Sequence, residues 1–136
     1  MSYPVLMHTA IDATDPRALA EFYRELLGLQ YRPGDEPPTD GTPDDEDWFV
    51  LVYGDGTRAL AVNGVPTLAR ASWPTQEVPK QMHMDFRVPT VEELERHRQR
   101  AVDLGASVLY DRTDDDGEPL YVLSDPAGHT FCLLVA

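Results

Sequence analysis

Cysteine is nearly absent from this chain: Cys132 is the only one in 136 residues. No intrachain disulfide and no cysteine-rich zinc site can therefore form, and a reducing compartment, the cytoplasm, is the expected location. Long apolar runs are missing as well. Nothing approaches the ~20 residues that a bilayer-spanning helix needs, and Met1 to Met7 contain neither the basic stretch nor the sustained apolar stretch of a secretory leader. Basic side chains are scarce, with 11 Lys and Arg against 24 Asp and Glu for a net charge of −13. That balance repels phosphate backbones and anionic headgroups, and no basic cluster offsets it, so neither nucleic acid nor membrane is expected as a partner.

The acidic excess is gathered in two places. Asp35, Glu36, Asp40, Asp44, Asp45, Glu46 and Asp47 crowd one stretch, and Asp111, Asp114, Asp115, Asp116 and Glu118 another. Neither has the spacing of an EF-hand loop, and both are expected to be solvated loops. The length leaves room for one domain, and the 42% hydrophobic content is ordinary for a globular chain.

Local signals come next. Val5 to Ala13 reads as a strand. Asp15-Pro16 then supplies an N-cap and a proline at the first helical position; Leu19, Phe22, Tyr23, Leu26 and Leu27 form an apolar stripe, and Gly28 stands where a left-handed C-cap is expected. Leu29 to Arg32 is a short strand, residues 33–47 a loop rich in Pro, Asp and Gly, and Trp48 to Tyr53 with Arg58 to Asn63 a hairpin about Gly54-Asp55-Gly56-Thr57. Pro66 to Lys80, with three prolines and no period, reads as a connector.

The order then starts again. Gln81 to Val88 is a strand, Thr90 to Glu93 a capping box, and Leu94, Ala101 and Leu104 a helical stripe ending at Gly105. Strands follow at Ala106 to Asp111, Leu120 to Ser124 and His129 to Val135, the last two joined by Asp125-Pro126-Ala127-Gly128. Met7-His8 opens the first half and Met82-His83 the second, about 75 residues later; Gly28 follows His8 by 20 positions and Gly105 follows His83 by 22. Such a duplicated order predicts an α+β chain of two βαβββ modules, about 1–65 and about 81–136, with mixed sheets curled around a central cavity and helices outside.

Strand alternation separates two faces. Met82, Met84, Phe86 and Val88 oppose Gln81, His83, Asp85 and Arg87; in the first half Met7, Thr9, Ile11 and Ala13 oppose Leu6, His8, Ala10 and Asp12. The apolar face belongs under the amphipathic helix. The other face carries His8, Asp12, His83, Asp85 and Arg87, polar groups that need water or a ligand. For the last strand of each half the period leaves the inward face open.

The segments His8-Thr9 to Asp15, Ala20 to Tyr23, Leu27-Gly28, Met82 to Asp85, Leu104 to Ala106 and above all Ser124-Asp125-Pro126-Ala127-Gly128-His129-Thr130-Phe131-Cys132-Leu133 resemble the vicinal oxygen chelate superfamily of glyoxalase, bleomycin-resistance proteins and extradiol dioxygenases, and within it the glyoxalase-like domain group. The resemblance implies four metal-ligand positions, a His on the first strand of each module and a Glu on the last. His8 and His83 match the histidines, whereas Asn63 and Cys132 fall on the carboxylate positions. An amide is a weak ligand for zinc or nickel, although a thiolate binds zinc strongly. No bound metal is therefore expected; zinc, nickel or iron at His8 and His83 is the alternative.

The function implied is a bleomycin-resistance-type protein that binds a small molecule between its modules without a catalytic metal, at His8, Asp12, Asn63, His83, Asp85, Arg87 and Cys132. The alternative is a metal-dependent lyase, isomerase or dioxygenase of the same superfamily; a metal-free base at His8 or His83 and a nucleophilic Cys132 are further options. Trp48, Phe49, Tyr53, Trp73 and Tyr121 are either core or stacking surfaces for a guest. His97 reads as a solvated helix residue and His129 as a cover for the sheet end. A homodimer is expected, because the family usually pairs and open sheet edges need covering.

Overall fold

The computed structural model describes residues 2–136. The chain divides into two compact units, Met1–Leu68 and Ala69–Ala136, with the element order that the repeat predicts. The first contains β1 (Thr9–Ala13), α1 (Pro16–Leu27), β2 (Gln30–Tyr31), β3 (Trp48–Val52) and β4 (Arg58–Gly64); the second contains β5 (Met84–Val88), α2 (Val91–Asp103), β6 (Ser107–Arg112), β7 (Leu120–Ser124) and β8 (Thr130–Val135). Each unit is one four-stranded mixed sheet, ordered β1-β4-β3-β2 and β5-β8-β7-β6. In each, the first and last strands pair in parallel and the remaining pairs are antiparallel.

The helices form where capping and periodicity place them. Asp15 accepts a hydrogen bond from the Ala18 amide at 3.1 Å, Pro16 starts α1, and Gly28 closes it with φ 67°. Leu19, Ala20, Phe22, Tyr23 and Leu26 are buried as α1 packs on β1, β3 and β4. Each large apolar side chain so buried contributes roughly 1.5–3 kcal/mol. Thr90 caps α2 through the Glu93 amide at 3.1 Å. The return half of the capping box is replaced, because the Glu93 carboxylate pairs with Arg96 and His97. Leu94 and Ala101 carry the buried stripe of α2, while Leu104 is only half-buried.

Several expectations are corrected. The pattern extends the first strand of each half back to Val5 and Gln81, yet the ladders begin at Thr9↔Leu60 and Met84↔Phe131. A strand exists only where a partner accepts its hydrogen bonds, so His8 and His83 each stand one residue before it. The segment read as a connector is mostly part of the second unit. Arg70 donates to the carbonyl oxygens of Pro126 and Asp125 at 2.9 and 3.4 Å, and the Ala71 amide donates to the Gly128 carbonyl. Residues 33–47 are not a free loop either. The Arg17 guanidinium lies 3.7 Å over the Phe49 ring, holds both Asp44 oxygens at 2.7 and 3.0 Å, and donates to the Asp35 carbonyl at 2.7 Å. His97 is half-buried rather than solvated, and burial, then Arg100 and Arg96, push its pKa down.

The Asp-Pro-Ala-Gly turn owes its shape to a fully buried carboxylate. Asp125, 0% exposed, accepts from the Ala127 and His129 amides at 2.9 and 3.0 Å. Gly128 has φ 96°, and a Cβ there would fall 2.7 Å from the Arg70 side chain, so the turn is built for the segment that crosses it. Asp125→Ala should leave buried donors without partners and lower stability by about 1–3 kcal/mol, with Asp125→Asn losing less because it keeps an acceptor. Urea unfolding followed by circular dichroism measures this; an unshifted midpoint for the alanine variant would contradict the role given to the carboxylate.

Candidate functional site

The two sheets present different faces opposite their helices. In the second unit, Asp85, Cys132 and Val122 are successive cross-strand partners, as are Arg87, Leu134 and Leu120. The alternating set, Met84, Phe86, Phe131, Leu133 and Leu123, lies on the α2 side, and Phe131 and Leu123 are fully buried. The register thus settles the strand face that the period leaves open: Thr130, Cys132 and Leu134 share the face of His83 and Asp85. A pocket of about 270 Å³ is lined there by Trp73, Lys80, His83, Asp85, Arg112, Glu118, Leu120, Val122, Thr130, Cys132 and Leu134.

Three of these side chains converge. His83 Nε2 lies 3.3 Å from Asp85 Oδ1, and one donor atom each of His83, Asp85 and Cys132 lie within 4.8 Å of one another. Among the described residues this is the one group of three or more His, Cys, Asp or Glu side chains so gathered. The Cys132 thiol donates a hydrogen bond to Asp85; burial and then the Asp85 charge push its pKa up to about 11. It is therefore protonated near neutrality and a poor nucleophile. Thr130, 2% exposed, lines the same pocket, and its buried hydroxyl has no partner among the described residues.

The first unit differs at matching positions. Ala10 and Ala61 are register partners there, corresponding to Asp85 and Cys132. Asn63 lies two residues farther along, opposite Asp12, and donates its amide to that carboxylate at 3.2 Å. Ala61, Val50 and Val52 form a buried apolar cluster, so the polar character expected of this face is confined to its end. His8 is half-buried, its ring centroid 5.8 Å from that of Trp48, and its Nδ1 has no partner among the described residues. A cavity of about 510 Å³ also lies in this unit, between Arg17, Trp48, Phe49 and the acidic loop.

Of the seven residues singled out in the sequence, then, His83, Asp85 and Cys132 gather in one pocket. Arg87 follows on the same face without lining it, and His8, Asp12 and Asn63 belong to the first unit. Four-ligand metal binding does not fit the donors present, since the first unit offers an imidazole with alanines, not a carboxylate, on the neighbouring rungs. Of the aromatics, Phe49 and Tyr121 are core, Trp48 and Tyr53 are exposed, and Trp73 lines the second unit's pocket. Thr130 and Lys80 were missed. Thr130 shares Cys132's face by alternation and could have been inferred once that face was known; Lys80 sits in an aperiodic segment with no signal.

The thiol environment is testable. Alkylation of Cys132 by iodoacetamide, followed by mass spectrometry, should be slow at pH 8 and accelerate as pH approaches about 11. Asp85→Asn removes a negative charge beside the thiol, lowers its pKa and should speed the reaction several-fold at pH 8. Labelling of the unaltered protein as fast as that of an exposed cysteine would contradict this account.

The comparisons with known proteins bear on the fold and the family. The family model described as glyoxalase-like domain matches residues 8–134. No curated protein matches. Among solved structures, a glyoxalase/bleomycin resistance protein/dioxygenase family enzyme from Burkholderia phytofirmans PsJN superposes with a TM-score of 0.66 at 17% identity, covering 95% of this chain and 96% of that one. The fosfomycin resistance protein FosX from Listeria monocytogenes gives 0.69 at 14%, covering 99% and 95%, and lactoylglutathione lyase from Agrobacterium tumefaciens gives 0.61 at 20%, covering 100% and 96%. Identities this low bear on the fold alone; the match of the family model, over nearly the whole length, shows that this chain belongs to the glyoxalase-like domain family.

Proposed function

We propose that this protein binds a small polar molecule on the open sheet face of its second unit and holds it without turnover, as a bleomycin-resistance-type protein does. The observation that carries this reading is the pocket in which the His83 imidazole, the Asp85 carboxylate and the Thr130 hydroxyl stand together beside Trp73 and Lys80. A buried hydroxyl without a partner is costly, and a guest that accepts or donates a hydrogen bond there relieves it. Trp73 adds a flat apolar surface, half-buried and edge-on to Tyr110 at 6.2 Å. The protonated thiol argues against covalent catalysis by Cys132. The wider site of the sequence reading, with His8, Asp12, Asn63 and Arg87, narrows in this proposal to the second unit.

Two further parts belong to the same proposal. Self-pairing is supported by β6, an edge strand whose residues are all exposed, Val108, Leu109 and Tyr110 included. A cytoplasmic location is supported by the free Cys132 and agrees with the described helices, none of which is long and apolar enough to cross a membrane.

The relatives suggest the probes. Calorimetric titration of chelator-treated protein with bleomycin, fosfomycin and lactoylglutathione should give saturable binding of at least one. His83→Ala should weaken it by about 1–3 kcal/mol, roughly 5- to 150-fold in Kd, with the circular dichroism spectrum unchanged. Failure of all three to bind, or affinity unmoved in the His83 variant, would overturn the reading. Light scattering at micromolar concentration should give the dimer mass; a monomer mass would count against self-pairing.

A further inference from the structure

We propose that the second unit by itself holds one thiophilic divalent cation of the zinc class on His83, Asp85 and Cys132. The expectation of no metal rests on the amide at 63 and the thiol at 132 where carboxylates would stand. Asp85 restores a carboxylate beside the thiol, because the parallel register of β5 and β8 makes Asp85 and Cys132 direct partners. His83 joins them two residues back on the same face. The site therefore uses one unit, needs neither His8 nor Asn63, and takes its anionic oxygen from the first strand rather than the last.

The geometry suits such an ion. Tetrahedral zinc, with bonds of about 2.0–2.3 Å, separates its ligand atoms by roughly 3.3–3.8 Å. The three donors already lie within 4.8 Å of one another, and His83 Nε2 and Asp85 Oδ1 are at 3.3 Å. Side-chain rotation closes the remainder without moving a strand. The thiol loses its proton to solvent as sulfur bonds the metal, so the bound set is imidazole, carboxylate and thiolate, with the fourth position facing the pocket.

An independent observation points to the same spot. Thr130, on the face of Cys132 and two residues before it, is 2% exposed, lines the pocket and has no hydrogen-bond partner for its hydroxyl among the described residues. A water on the open coordination position, or the thiolate itself, would complete it. The matching rungs of the first unit are Ala10 and Ala61, so at these positions one half carries donors and the other methyl groups. A thiolate selects zinc, cadmium or cobalt over magnesium, calcium and manganese.

This inference goes beyond the small-molecule reading and stands if that reading fails, because it requires no guest. The test is titration of chelator-treated full-length protein with Co²⁺, followed by electronic absorption. One equivalent should produce a near-ultraviolet sulfur-to-cobalt charge-transfer band and intense tetrahedral d–d bands. Zn²⁺ should abolish both, and excess Mg²⁺ or Ca²⁺ should leave both. Cys132→Ser should eliminate the charge-transfer band, and Asp85→Asn should keep it while weakening Co²⁺ binding about tenfold or more. His8→Ala and Asn63→Ala should leave the titration unchanged. Absence of the band in folded protein, or its loss in the His8 variant, would overturn the one-unit site.

Discussion

Parallel pairing of the first and last strands is the contact on which each unit depends. It joins residues far apart in sequence, Thr9 to Leu60 and Met84 to Phe131, and sets the first strand at the sheet edge beside the inner last strand on which the helix packs. Because side chains alternate, burying Phe131 and Leu133 against α2 commits Thr130, Cys132 and Leu134 to the opposite face. The chemistry of the second unit follows from that commitment. A shift of one residue in the β5–β8 register would turn Cys132 away from Asp85 and dissolve the site while leaving the helix, the turn and the composition untouched.

The same architecture has been filled differently in the two halves. In the first, Ala10, Ala61, Val50 and Val52 make the middle of the sheet face apolar, and the remaining polar pair, Asp12 and Asn63, satisfies itself. Charge there has moved to the helix side and the loop, where Arg17 stacks on Phe49 and anchors Asp44 and the Asp35 carbonyl. The Arg17 guanidinium, in turn, holds the Asp44 carboxyl below its ordinary range. In the second, a carboxylate and a thiol replace the alanines, and the thiol stays protonated because it is half-buried and faces that carboxylate. The two units thus share their strand order and the position of the leading histidine, while among the described residues the gathered His, Asp and Cys side chains stand in the second.

The Asp125 turn shows how a family-like motif can be structural. Its carboxylate is spent on the amides of Ala127 and His129, and Gly128 gives room to Arg70. The segment from Ala69 to Lys80 is thereby fastened to the second unit, and Trp73 and Lys80 reach the pocket. A proline-rich, aperiodic stretch looks like a linker in sequence because its order comes from what it crosses, not from its own hydrogen-bond pattern.

Local rules were enough for much of this molecule. The caps at Asp15, Thr90 and Gly28, the helical stripes, the hairpin and the repeated order are short-range matters of φ preference, periodicity and turn chemistry, and they were legible residue by residue. So was the polar character of His83, Asp85 and Arg87, since one strand's alternation decides it. What only the tertiary structure decided was which strands pair and in what register: that Cys132 faces Asp85, that Asn63 faces Asp12, that the buried Thr130 hydroxyl has no partner among the described residues, and that β1 and β5 begin after their histidines. Hydrogen bonds between strands distant in the chain set those relations, and no local period encodes the offset between them.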